Sequence, residues 1–154
     1  MMMKIPEGTV IIREGEVSMD MYKIISGHVE LYTGYRTKKE TILGIQSKDS
    51  FIGEVGLLAQ KPAIYTAVAY SDVVVLRITM TEIDLYMEEN HRDAMAIMTK
   101  MAQAMYSLKY SMDSFVDDLM KGNAAPSSYK GFFSKSFSKY NVDGEASTKY
   151  KTLH

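Results

Sequence analysis

The sequence predicts a mainly β domain closed off by C-terminal helices, and three observations carry that expectation. Before residue 80 the chain is a series of short apolar, often β-branched runs separated by glycine-containing turns. After Thr79 the spacing of apolar residues becomes helical. From Ala94 onward apolar residues recur every seven positions, which extends one helix far beyond the average length for a domain of this size.

Composition bounds the architecture. At 154 residues, 46% hydrophobic and 24% charged, the chain has room for one domain and a short appendage. It contains no cysteine, which excludes a disulfide framework, thiolate metal sites and a catalytic thiol, and suits a cytoplasmic location. No run approaches the roughly 20 apolar residues of a membrane helix. Met1 to Pro6 lacks the apolar segment of a signal peptide.

The strands follow in order. Thr9-Val10-Ile11-Ile12 is bounded by Gly8 and Gly15, and Met21 to Ile25 ends at Ser26-Gly27. His28 to Tyr32 alternates apolar and polar positions. Glu40 to Ile45 and Tyr65 to Tyr70 are further candidates, and Val73 to Ile78 is continuous enough to predict burial on both faces. Strands at this spacing suggest a sandwich or barrel. Gly53 to Ala59, with Glu54, Leu57 and Leu58, is expected to interrupt them with one or two helical turns.

Thr81-Glu82-Ile83-Asp84 opens a helical segment, and Asn90 is positioned to cap a longer one. In the long helix Met98, Met105, Met112 and Leu119 form one seven-residue series, and Ala94, Met101, Leu108 and Phe115 a second offset by three. That is an a/d seam about 30 residues and about 45 Å long. It fits a coiled coil with a second copy; the alternative is that the stripe lies on the β domain. Methionine at these positions packs adaptably and specifies register weakly.

Residues 1–121 are therefore expected to form the domain, with strands over about 5–79 and helices over about 80–121, followed by a tail, 122–154. Gly122-Asn123 ends the helix and Pro126 prevents its return. Charge divides at the same place. Residues 1–120 hold 12 basic and 17 acidic groups, whereas six lysines and two acids follow from Lys121. An acidic body disfavours binding along a phosphate backbone. The basic tail, with Phe132, Phe133, Phe137 and Tyr140 among its lysines, reads either as a solvated chain end or as a docking segment.

Enzyme signatures are missing from the sequence. His28, His91 and His154 have no metal-ligand spacing and form no triad with a serine and an acid. Neither glycine-rich phosphate motif, Gly-x-x-x-x-Gly-Lys-Ser/Thr nor Gly-x-Gly-x-x-Gly, is present. No enzyme, metal or resident cofactor is expected.

A spacing of glycines remains. Ile5, Gly8, Val10, Ile11, Gly15 and Glu16, then Met21, Tyr22, Ile24, Gly27 and Val29, then Phe51-Ile52-Gly53-Glu54-Val55-Gly56-Leu57-Leu58, together resemble the cyclic nucleotide-binding domain. This is the sensor domain of catabolite activator proteins, kinase regulatory subunits and nucleotide-gated channels. The resemblance covers about residues 5–120. It implies a β-roll of jelly-roll type, a short cassette helix after Gly53-Glu54, two more strands, a short B-helix and a long C-helix.

The resemblance also implies a site. The family's Gly-Glu pair supplies the carboxylate that accepts the ribose 2′-hydroxyl, and Gly53 and Glu54 match it. Backbone N–H groups near Val55 would assist at the anion. The family then places a Pro-Arg-x-Ala-Thr/Ser segment whose Arg pairs with the cyclic phosphate. Here Pro62-Ala63-Ile64-Tyr65-Thr66 keeps Pro62 and Thr66, but Ala63 stands in the place of Arg and Tyr65 in the place of the small Ala. Losing that charge-assisted contact costs about 1.5–3 kcal/mol, roughly 10–100-fold in affinity. The Tyr65 ring either enters the phosphate's space or points into the core. Lys61 either replaces part of the missing charge or is a solvated surface lysine. The candidate ligand contacts are Gly53, Glu54, Val55, Lys61 and Thr66, with Tyr106, Lys109 and Tyr110 of the C-helix as candidates to meet a base.

The expected function is a non-catalytic regulatory or sensor module, a homodimer through its C-helix, with weakened or altered binding of a cyclic nucleotide or related ribose-containing ligand. The alternative is a ligand-independent dimerisation or protein-docking scaffold in which Glu54 caps the cassette helix. The helix-turn-helix domain of the family's activators needs more residues than follow Lys121, so sequence-specific DNA binding of that kind is not expected.

Overall fold

The computed structural model describes residues 1–121. In chain order the elements are β1 (Met2–Ile5), β2 (Val10–Ile12), β3 (Asp20–Ser26), β4 (Val29–Thr33), β5 (Thr41–Gln46), β6 (Phe51–Ile52), α1 (Glu54–Ala59), β7 (Thr66–Ala69), β8 (Val73–Thr79), α2 (Ile83–Glu89) and α3 (His91–Lys121). The strands form two four-stranded sheets, ordered β1-β8-β3-β6 and β2-β7-β4-β5, with every pairing antiparallel. The described residues separate into two units, one of Met1–Lys100 and one that begins at Met101, and both sheets belong to the first. The tail 122–154 lies outside the described residues, as does the expected helix stop at Gly122-Asn123.

The core lies between the sheets. Ile24 and Ile52 from one sheet meet Val29, Leu31 and Ala67 from the other, with Val73, Val75 and Tyr65 in the same cluster. Antiparallel strands with one face on a core need apolar side chains only at alternate positions. β8 shows this: Val73, Val75 and Ile78 are buried while Val74, Leu76 and Arg77 are only half-buried. Its expected burial on both faces is thus corrected. Lying between β1 and β3 satisfies its backbone, but its outer face stays partly open.

Two strands escaped the pattern. β1 is Met-Met-Lys-Ile and owes its form to pairing on β8, Met2 opposite Leu76 and Ile5 opposite Val73. β6 is two residues long, set by Phe51 and Ile52 lying opposite Lys23 and Tyr22. Gly27, at the corner between β3 and β4, has φ 87°, and a Cβ there would sit 2.3 Å from the Asp72 carbonyl oxygen. Only glycine fits such a corner.

Polar contacts fix where the helices begin. Glu82 accepts from the Thr79 amide (3.0 Å) and hydroxyl (2.7 Å), closing the turn before α2. Asn90 precedes α3 as expected, but its side-chain amide donates to the Tyr86 carbonyl of α2 at 2.9 Å and so closes the earlier helix. Asp93, in the first turn of α3, accepts from Lys23 of β3 at 2.8 and 2.9 Å and from the Tyr86 hydroxyl at 2.5 Å. Burial and its bond to Asp93 push the Tyr86 phenol upward, which keeps that proton available for donation.

Burial alone would raise the Asp93 pKa, but the bonds from Lys23 and Tyr86 outweigh it and hold the carboxyl below the usual value. A depressed carboxylate stabilises the fold above its unfolded pKa, and that contribution is lost as pH falls through the folded value. Asp93→Asn is expected to cost about 2 kcal/mol at pH 7, the usual worth of a hydrogen bond to a charged group. The gap from wild type should narrow below about pH 4, near the ordinary aspartate pKa. Urea denaturation across pH 3–7 measures it, and a pH-independent gap would refute the assignment.

Candidate functional site

The site is built where β6 turns into α1. Gly53, between them, has φ 84°, and a Cβ on it would stand 3.0 Å from both the Asp20 carbonyl oxygen and the Ile12 side chain. This compact turn places Glu54 first in α1 and directs its side chain inward. After α1 the chain returns along Lys61 to Ile64. Paired bonds between Ala63 and the 13–16 turn pin that segment: Gly15 N–H to Ala63 O at 2.8 Å and Ala63 N–H to Glu16 O at 2.9 Å.

Glu54 is 2% exposed, and the chain's own donors engage both of its carboxylate oxygens. The Lys100 ammonium, from α3, donates to Oε1 at 3.0 Å and also to the Phe51 carbonyl oxygen at 3.0 Å. The Tyr65 hydroxyl donates to Oε2 at 3.4 Å and accepts the Gly53 N–H at 2.8 Å. A carboxylate buried this deeply needs such partners, since leaving one unpaired costs several kcal/mol. Burial, and then the adjacent carboxylate, push the Tyr65 phenol well above its ordinary value, so the hydroxyl keeps its proton.

Tyr65 therefore points into the core: it is 8% exposed, its ring joins the core cluster and its hydroxyl reaches the start of α1. Thr66 is buried beside it, and its hydroxyl accepts the Glu14 N–H at 3.1 Å. Val55 is half-buried and Lys61 is exposed, the Lys61 backbone N–H donating to Gly56 O at 3.0 Å. Ala63 packs against the core and presents no cation. The first unit thus brings Gly53, Glu54 and Tyr65 together, leaving Lys61 at the surface.

Glu54 makes no side-chain cap on α1, so the capping role considered for it is not what the structure shows. A cleft of about 250 Å³ is lined by residues 11–13 and 16–20; none of the five predicted ligand contacts lines it, although its Ile12 and Asp20 stand against Gly53 and its Glu16 carbonyl accepts from Ala63 N–H. In the second unit the Tyr106 and Tyr110 rings lie 6.4 Å apart, and Lys109 pairs with Asp113.

Lys100 went unrecognised in the sequence. Its signal was the three-residue step from Ile97, the buried residue of α3, which puts Lys100 on the same helix face. The pairing itself spans 46 residues, and no local pattern announces it.

Residues 2–90 match the family model of the cyclic nucleotide-binding domain. The chain belongs to the cyclic nucleotide-binding domain family. Its roll, cassette helix and C-helix are the expected fold. Among solved structures it resembles the catabolite activator protein of Thermus thermophilus, at 20% identity and a TM-score of 0.67, over 75% of this chain and 54% of that one. It is also similar to the sensor domain of the transcriptional regulator DNR from Pseudomonas aeruginosa, with 21% identity, TM-score 0.54, and coverage of 69% and 71%. A third likeness is to the regulatory subunit of a cAMP-independent protein kinase A from Trypanosoma brucei, at 19% identity, TM-score 0.58, and coverage of 71% and 40%. At these identities the likeness establishes the fold. The chain spans about half the length of the Thermus protein, and no curated protein matches it. No helix among the described residues is long and apolar enough to cross a membrane.

Proposed function

We propose that this cyclic nucleotide-binding domain is a non-catalytic regulatory module with weakened cyclic nucleotide binding, acting as a homodimer through α3. The observation that carries the first part is the state of the Gly53-Glu54 pair. In the family this pair receives a ligand hydroxyl, whereas here its carboxylate and its amide are already bonded to Lys100 and Tyr65. Ala63 adds to the effect, because it offers a cyclic phosphate no charge and Lys61 is exposed at the surface. A nucleotide would have to displace internal bonds while lacking the contact that usually rewards it.

The dimer rests on α3. Met98 in the first unit is exposed, as are Met105 (60%) and Leu108 (62%) in the second, although all three lie on one a/d seam. Ala94, Met101, Met112 and Leu119 are half-buried. Met98, Met105 and Leu108, large apolar groups left open along one seam of a 31-residue helix, fit a helix that pairs with another.

A second reading, a docking scaffold that needs no ligand, is favoured by the burial of Glu54 among its own partners. Thermal-shift titration separates the two. A ligand at 100 times its Kd stabilises a fold by about 2.7 kcal/mol, a shift of about 5–10 °C at this size. With cyclic AMP or cyclic GMP at 1 mM the expected shift is below about 2 °C. A saturable shift in the micromolar range would refute the weakened site. A response to a noncyclic or dinucleotide probe would support an altered sensor, and silence with all of them would support the scaffold.

A further inference from the structure

We infer that Tyr65 and Lys100 act as a built-in ligand, tying the cassette to α3 in the absence of any nucleotide. The inference rests on the reading of the Gly53-Glu54 pair given above. A ribose hydroxyl held by a Gly-Glu pair would do two things, donating to the carboxylate and remaining open to an N–H donor. The Tyr65 hydroxyl does both: it donates to Glu54 Oε2 at 3.4 Å and accepts from Gly53 N–H at 2.8 Å. The chain has supplied, from the first residue before β7, the group that the ligand would bring.

Lys100 supplies the other half. Its ammonium bridges two parts of the cassette region, the Phe51 carbonyl at the entry and the Glu54 carboxylate in α1, each at 3.0 Å. Its own backbone lies in α3, ten positions into the helix. One cation thus joins β6, α1 and α3. At the start of the helix the contact between Lys23 and Asp93 is a second tie to the roll. The side chain of Lys100 is 41% exposed while that of Glu54 is 2% exposed. Competing solutes therefore reach the latch from its lysine side, and its removal strands a buried carboxylate.

The consequence is regulatory. In a ligand-gated module the nucleotide supplies the differential affinity that shifts the population toward the closed arrangement. Here the groups that make those contacts are part of the chain at all times, so the closed arrangement is the resting one. Regulation then acts by opening the latch and not by filling a site.

Hydrogen–deuterium exchange on the full chain tests this with Lys100→Met, Lys100→Arg and Tyr65→Phe. Lys100→Met is expected to raise amide exchange in residues 54–59 and 91–100 at least ~10-fold relative to β3 and β8, the fold-change set by about 1.4 kcal/mol of local opening. Lys100→Arg keeps the charge and should stay near wild type, while Tyr65→Phe, which removes only the hydroxyl, should loosen residues 54–59. Unchanged exchange in Lys100→Met overturns the latch. So does a rise spread equally over β3 and β8, which would make the ion pair a general stabiliser. If Lys100→Met does not fold, Tyr65→Phe decides by the same criterion. Adding 1 mM cyclic AMP to wild type separates the two claims, because new protection there would refute the weakened site while leaving the variant comparison intact.

Discussion

The double variant Ala63→Arg/Tyr65→Ala is expected to bind cyclic AMP or cyclic GMP at least ~100-fold more tightly than the wild type. The introduced guanidinium would place a planar cation where the family pairs one with the cyclic phosphate, a contact worth about 1.5–3 kcal/mol or 10–100-fold. Removing the Tyr65 side chain frees the Gly53 amide and one oxygen of Glu54 for a ribose hydroxyl. It also opens a cavity, since Tyr65 is 8% exposed and packed in the core. Truncating a buried aromatic to alanine costs about 3–5 kcal/mol, so the unliganded variant should melt well below the wild type and recover on adding nucleotide. Ala63→Arg alone should gain less, because the pair remains engaged from within. Isothermal titration calorimetry at matched temperature measures all three proteins. A double variant that folds and shows no heat with 1 mM nucleotide would sink the account of why the site is weak.

Replacing Met105 and Met112 with lysine is expected to convert the proposed dimer into a folded monomer or an insoluble chain. Each methionine buried at a helix seam contributes about 2 kcal/mol of apolar burial. Two on each of two chains therefore amount to about 8 kcal/mol, enough to move a nanomolar dimer toward millimolar dissociation. Burying the ammonium groups would cost more again. Both positions lie in the second unit, whereas the sheets and the cassette lie in the first, so circular dichroism of the strands should survive. Sedimentation velocity at ~10 μM reads the outcome directly, a concentration chosen far above nanomolar dissociation. A wild type that sediments as a monomer there would remove the interface. A variant that stays dimeric would place it elsewhere.

Much of the fold is legible in the amino-acid sequence because it is written in short-range patterns. An apolar run ending at Ser26-Gly27 announces β3 and alternation announces β4, glycines with positive φ mark the corners at Gly15 and Gly27, and seven-residue spacing announces α3. β1 and β6 are not legible in this way, since one is methionine-rich and the other two residues long, and both exist through their partners β8 and β3. The same division runs through the site. Gly53 and Glu54 are named as site candidates by the family resemblance, as is the departure at Ala63 and Tyr65 in the segment that follows. Where Tyr65 points is not legible in that way, because either face of a short strand accepts an aromatic ring until the opposing sheet is in place.

The sequence by itself determined the order of six of the strands and of the helices, and, through the family resemblance, a cassette with a carboxylate and an alanine at position 63 where that resemblance places an arginine. Only the tertiary structure decided what that carboxylate does. Glu54 meets Lys100 across 46 residues and Tyr65 across 11. Local periodicity constrains neighbours a few residues apart, but which distant cation neutralises a buried acid depends on how the helix face around Ile97 seats on the roll.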